Sequence, residues 1–263
     1  MPSPASIPTL AIDGVSHSYG PKQALDGVSF TVEKGAFAVL LGPNGAGKST
    51  LYALLTQLLP LRAGRIAIAG HDIATDPRGA LAGLGIVFQA PTLDLDLSVE
   101  QNLRYFARLR GMSGRDATRR IHPQLERLAL ADRRRDRVRA LNGGHRRRLE
   151  IARALLHEPE VLLLDEPTVG LDIPTRQRIV DDVHDLASDG SATVLWATHL
   201  IDEARAGDQV VLLHQGSVKA DGEALALLDR FDCDDLGTLF NQLTERKPQA
   251  PLQGLSRTAG AGR

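Results

Sequence analysis

The 263-residue chain has one cysteine, Cys233. That count excludes an internal disulfide framework and fits a reducing compartment. A lone cysteine outside any motif reads as packing rather than chemistry. Long apolar runs are also missing. The greasiest stretches, such as Leu51 to Leu61, contain Gln57 and fall well short of the ~20 apolar residues a membrane span needs. Met1 to Leu10 has neither a basic n-region nor a long apolar core, so no signal peptide is expected there. Neither sign of charge is in excess. The net charge of −1 gives no overall pull toward nucleic acid or membrane, and no nucleic-acid partner is expected. No internal repeat is visible. The expectation is a protein that is soluble, or held at a membrane only through a partner. At 43% apolar and 24% charged residues the composition is that of an ordinary globular chain. Its length suits one large domain or two small ones.

What the chain does have is a phosphate-binding loop. Gly42-Pro43-Asn44-Gly45-Ala46-Gly47-Lys48-Ser49-Thr50 has the form G-x-x-x-x-G-K-S-T. A strand-like run, Ala36 to Leu41, leads in, and a helix-like run, Thr50 to Leu59, leads out. That context matters, because such a loop cradles phosphate only when a helix N-terminus follows it. The glycines let the backbone present successive N–H groups. Lys48 adds positive charge near the β- and γ-phosphates, and the Ser49 hydroxyl can ligate Mg²⁺. Kinases, GTPases, motors and transporter ATPases all use this loop, so it does not decide among them.

Ahead of the loop, Thr9 to Tyr19 and Ala24 to Val32 predict short antiparallel strands, with turns at Asp26-Gly27 and Lys34-Gly35. After the first helix, Ala63-Gly64 reads as a turn, Arg65 to Ala69 as a strand and Gly70-His71-Asp72 as another turn. Leu84 to Phe88 is a short strand ending at Gln89, followed by a loop from Ala90 to Asp94. Ser98 and Gln101 form a capping box for a helix running to Arg110, broken by Gly111 to Gly114. Asp116 to Leu130 is helical, with Ile121, Leu125 and Leu128 on one face. Residues 99–140 are thus a helical insert. Val161 to Leu164, Thr193 to Ala197 and Gln209 to Leu213 are apolar runs of the kind a parallel sheet buries on both faces. Thr175 to Ala187 is a helix between the first two, and this alternation predicts a parallel α/β core. Ala224 to Asp229 and Asp235 to Arg246 predict terminal helices. Lys247 to Arg263, rich in Pro, Gly and Ala, predicts a disordered tail.

Two further sites carry chemistry. Val161 to Leu164 ends in Asp165 and Glu166, at the strand end where ligands sit in a parallel sheet. Asp165 would hold Mg²⁺ directly or through water, and Glu166 would polarise an attacking water. Leu141-Asn142-Gly143-Gly144-His145 precedes a helix through Leu149, Ala152 and Leu155. Asn142, Gly143 and Gly144 expose backbone N–H groups that an anion could use, although an Asn/Gly pair is also an ordinary helix cap.

Taken together, residues 9–246 resemble the ATP-binding subunit of an ABC transporter. The matching stretches are GPNGAGKST, Gln89 in VFQAP, LNGGH where the family has LSGGQ, VLLLDEPT at 161–168, Gly170-Leu171-Asp172, and His199 in WATHL. Tyr19 matches the aromatic that stacks on adenine. The resemblance implies an α/β fold: a P-loop NTPase core of ABC ATPase type over residues 7–246, with an N-terminal antiparallel β-subdomain and a helical subdomain inserted at about 90–157. It implies ATP and Mg²⁺ as ligands, with Ser49, Gln89 and Asp165 around the metal. Two subunits would pair head to tail. Each ATP would lie between one phosphate loop and the other subunit's signature. Gln89 would sense the γ-phosphate, His199 would hold the attacking water with Glu166, and Asp172 would reach across the dimer. Membrane subunits would dock on the helical insert, which places the protein at the cytoplasmic face of the inner membrane.

The signature departs from the family form at Asn142 and His145. The Asn142 amide can still donate to phosphate, and His145 would make the interface pH-sensitive. Arg133, Arg134, Arg135, Arg137 and Arg139, then Arg146 to Arg148, form a dense basic run. It reads either as a solvated helical face or as a surface for an acidic partner or anionic lipid. The run from Asn142 to Asp172 resembles the drug- and polysaccharide-export branch, and LNGGHRRR also resembles a subunit associated with pyrroloquinoline-quinone-dependent alcohol oxidation. Two other classes compete with transport. A soluble ABC ATPase that remodels another complex would share every motif. A small-molecule kinase would share the loop but leave LNGGH, Asp172 and His199 unexplained.

Overall fold

The computed structural model describes residues 8–244; the tail expected at 247–263 lies outside them. Strand β1 (Leu10–Tyr19) buries Leu10, Ile12 and Val15 and pairs antiparallel with β2 (Lys22–Val32). Strand β1 matches its expected span to within one residue, whereas β2 is longer than expected and runs unbroken through Asp26-Gly27, which is not a turn. The pairing runs from Val15↔Val28 to His17↔Leu25, so β2 carries an extra residue there. Gly27, at φ +59°, absorbs that bulge while its N–H donates to Ser16 Oγ at 2.9 Å. Ala63-Gly64 likewise opens strand β4 (Ala63–Ile68), which pairs with the other edge of β1. The true turn is Ala69-Gly70, with φ +51° and +79°, the left-handed pair a two-residue hairpin requires. It returns the chain into β5 (His71–Asp72). The sheet order is β2-β1-β4-β5.

The second sheet has the order β10-β9-β3-β8-β7-β6. Strands β3 (Phe37–Leu41), β6 (Leu84–Val87), β7 (Val161–Asp165), β8 (Thr193–Thr198) and β9 (Gln209–His214) run parallel, and β10 (Ser217–Glu223) closes the edge antiparallel. Every residue of β3, β7 and β8 is buried, as their unbroken apolar runs require. Alternate residues face opposite ways. Leu40, Leu163 and Leu195 pack with the antiparallel sheet and helix α1 (Lys48–Leu55), whereas Leu41, Leu164 and Trp196 pack in a second cluster with helices on the other face. Because the five strands are parallel, their C-terminal ends meet at one edge. The phosphate loop, Gln89, Asp165-Glu166 and His199 all follow from that edge.

Between β6 and β7 lie α3 (Val99–Leu109), α4 (Gly114–Arg127) and α5 (Gly143–Leu155). Helix α3 starts at the expected capping box: Ser98 Oγ accepts from Gln101 N at 3.2 Å and Gln101 Oε1 from Ser98 N at 2.8 Å. Helix α4 begins earlier than Asp116, because Ser113 caps it. A short helix α2 (Pro77–Ala82), capped by Asp76, has no signal in the apolar spacing. Helix α6 (Ile173–Ser188) joins β7 to β8, and α7 (Ala224–Phe231) and α8 (Leu236–Thr244) follow β10. Helix α1 stops at Leu55, short of Leu59, where Gln57 turns left-handed at φ +56°. Among the described residues, no helix is long and apolar enough to cross a membrane.

Candidate nucleotide site

The phosphate loop needs glycine at its two ends. A Cβ on Gly42 would sit 2.4 Å from the Leu213 carbonyl oxygen. Gly47 has φ +115°, and a Cβ there would sit 2.7 Å from Ala24 O. The loop is therefore wedged against β2 and β9. The hairpin after β9 braces it further: Gly216 N donates to Ala46 O at 2.9 Å. The same hairpin contributes Gln215 and Gly216 to the cleft wall, which no local motif announces.

The cleft has a volume of about 410 Å³. Of the expected residues, Tyr19, Pro43, Asn44, Gly45, Gly47, Lys48, Ser49, Thr50, Gln89 and Glu166 line it. Tyr19 stands at 49% exposure, its ring in a T-shaped contact with His17 at 4.8 Å between centroids. Lys48 is buried. Its ammonium donates to Gly42 O at 2.6 Å and lies 3.1 Å from Glu166 Oε1. The other Glu166 oxygen lies 2.6 Å from His199 Nδ1. One carboxylate is thus gripped by a lysine and a histidine. With Nδ1–H donating to it, the imidazole keeps Nε2 for another partner. Glu166 holds φ +47°, unusual for a residue with a side chain, and its N–H donates to Ala197 O at 2.9 Å. The side chain that leaves this backbone turn reaches Lys48 and His199.

Asp165, at the end of β7, is buried, and among the described residues its Oδ1 has no hydrogen-bond partner. Burial raises its carboxyl above the usual range, and Glu166 raises it further. Beneath it, the Tyr52 hydroxyl lies 2.7 Å from Leu195 O and 3.0 Å from Leu164 O. Burial, then Asp165, pushes that phenol well up, so it stays a donor. A second missed group is Glu203. It is buried, accepts from Trp196 Nε1 at 2.9 Å and from the Thr168 hydroxyl. It ties the segment after His199 to the segment after Glu166.

The signature residues do not line the cleft. They gather with Leu171 and Asp172 in a separate cluster. A Cβ on Gly143 would sit 2.9 Å from Leu171 Cδ2, and one on Gly144 2.4 Å from Thr175 Cγ2. Asn142 caps α5, its Oδ1 accepting from His145 N at 2.8 Å, which leaves Nδ2 as a donor. Asp172 caps α6 through Thr175 N at 3.2 Å; its hydrogen bonds to Thr175 hold its carboxyl below the usual range. Burial, with Arg133 and Arg148, lowers His145 from its ordinary value.

The arginine run is not one helical face. Arg133 to Arg139 lie on two single 3-10 turns and the chain between them. Arg139 pairs with Asp96 and Arg148 with Asp182, while Arg147 is buried.

This geometry agrees with what the sequence is similar to. The family model "ABC transporter" matches residues 25–169. The chain belongs to the ABC transporter family. It is 43% identical to the daunorubicin resistance ATP-binding protein DrrA3 of Streptomyces coeruleorubidus, over 82% of this chain and 68% of that protein. It is 40% identical to the Nod factor export ATP-binding protein I of Neorhizobium galegae, over 87% and 66%. The chain thus spans about two thirds of the length of these relatives. Among solved structures, an ATP-binding subunit of an ABC transporter superposes with a TM-score of 0.79 at 30% identity, over 90% of this chain and all of that one. CbiO1 of Clostridium perfringens, part of the ABC transporter complex cbiONQ, gives 0.77 at 27% identity, over 89% and 95%. This ABC protein is an ATP-binding and ATP-hydrolysing subunit, and its fold is that of the ABC ATPase domain.

Proposed function

We propose that this ABC subunit works as one of two ATPases, paired head to tail, that drive export through separate membrane subunits at the cytoplasmic face of the inner membrane. The observation that carries the proposal is the division of the motifs into two clusters. The cleft holds phosphate-binding groups and Glu166. The exposed Asn142 and Gly143 lie elsewhere, beside Asp172. Val169 and Ile173 flank that second cluster at 43% and 71% exposure, which supports its burial against a second copy. The export direction is supported by relatives named for drug resistance and Nod factor export.

In this reading Tyr19 stacks on adenine and Gly42 to Thr50 wraps the phosphates. Lys48 exchanges part of its contact with Glu166 for phosphate oxygens. Ser49, Gln89 and Asp165 hold Mg²⁺, which supplies charge neutralisation on the phosphates; the unpartnered buried Asp165 Oδ1 suits a hard cation. Glu166 positions water, and His199 orients Glu166 and contacts the γ-phosphate. Residues of about 90–157 act as the helical subdomain. A groove of about 280 Å³ between Phe88, Phe106 and His157 suits a segment of a membrane subunit.

The test is fractionation of the native protein. It is expected in the membrane fraction with a multi-span partner that co-purifies. A protein found wholly in the soluble fraction would contradict transport and favour a remodelling ATPase.

A further inference from the structure

The turn that carries Gln89 is held by one stripe of α5. Arg147 Nη1 donates to Phe88 O at 2.8 Å and Nη2 to Gln89 O at 3.2 Å. The same Nη1 lies 2.7 Å from Glu150 Oε2. The other Glu150 oxygen accepts from Thr92 N at 3.0 Å. Arg153 then donates to Thr92 O at 3.3 Å and lies over the Phe106 ring at 4.4 Å. Residues 147, 150 and 153 are three apart, so they share a helix face.

Arg147 and Glu150 are 8% and 2% exposed. Burial disfavours both charges, lowering Arg147 and raising Glu150 from their ordinary values. An ion pair so deeply buried adds little net stability over apolar residues of equal volume. What it does add is geometry. A planar guanidinium can reach two successive carbonyls and a carboxylate together, which an apolar pair cannot. Five residues before Arg147, the same helix begins at Asn142.

We propose that Arg147 and Glu150 are positioning residues forming a strap: they lock the backbone of the Gln89 turn to the helix that presents Asn142, Gly143 and Gly144. The strap makes nucleotide contact at Gln89 in a chain's own cleft set the pose of the signature that the chain offers to a second copy. This inference rests on the head-to-tail pairing proposed above. It adds a route by which one composite site informs the other.

The test uses the full chain carrying Glu166→Gln, with ATP and Mg²⁺ as the probe. Nucleotide affinity is titrated at low protein concentration, and the mass is followed by light scattering as the protein concentration rises. Arg147→Lys keeps the charge beside Glu150 but loses the fork. It is expected to raise the protein concentration for half-dimerisation about tenfold, with nucleotide affinity within about twofold. Glu150→Gln, which keeps shape and an acceptor for Thr92, is expected to act in the same direction. Unchanged dimerisation in both variants overturns the strap. Equal losses of affinity and dimerisation also overturn it, since Arg147 would then merely prop the cleft. If Glu166→Gln alone stays monomeric with ATP, the pairing itself has failed and the strap falls with it; that result is separate from failure of the strap alone.

Discussion

Glu166 is held from two sides, by Lys48 at 3.1 Å and His199 at 2.6 Å. This geometry leads to the sharpest residue-scale prediction. Glu166→Gln keeps the shape and both neighbours but removes the basic carboxylate. Hydrolysis is expected to fall about 10²–10⁴-fold, the usual worth of a positioned general base, while ATP binding persists. Lys48→Ala is expected to do the reverse, weakening binding first. Wild-type turnover in Glu166→Gln would refute the assignment. These residues were legible because each belongs to a motif whose spacing survives without a structure. Arg147, Glu150 and Glu203 were not. In the sequence Arg147 is one arginine in a run that looks solvated, and nothing local says that it is buried against residues 88–89. Glu203 meets Trp196 and Thr168 only after the chain has folded.

At the scale of elements, local hydrogen-bonding chemistry was readable and bulges were not. Ser98 and Gln101 announced the start of α3 because a capping box is closed within four residues. Asp26-Gly27 and Ala63-Gly64 carry turn-like residues, yet pairing with β1 absorbs them into strands. Apolar spacing gave α4 its buried face but not its first turn, which Ser113 sets. The end of α5 offers a pH test. His157 donates through Nε2 to Leu84 O at 3.0 Å, and burial, aided by Arg110, pushes its pKa down to about 4. The folded pKa lies below the unfolded value of about 6.5. The folded state therefore prefers neutral His157, and its contribution is complete above pH ~6.5 and lost as the pH falls toward 4. Urea unfolding across that window is expected to show His157→Gln losing less stability than wild type. The difference is expected to be roughly 1–2 kcal/mol after solvent screening. Parallel curves for the two proteins would contradict this.

At the scale of the whole molecule, the parallel sheet gathers one set of motifs at one edge, and α5 and α6 present the other set nearby on the surface. The α/β class and the strand–helix alternation were legible because fully buried strands read as unbroken apolar runs. The sheet order, with β3 between β8 and β9, was not, since strands of equal apolarity do not name their neighbours. In the proposed pairing, each nucleotide is enclosed by two chains. The most direct measurement is the mass of the Glu166→Gln protein in solution with ATP and Mg²⁺. It is expected to double from the 28.3 kDa chain and to return to that value with ADP. A mass that stays at one chain under saturating ATP would contradict the account.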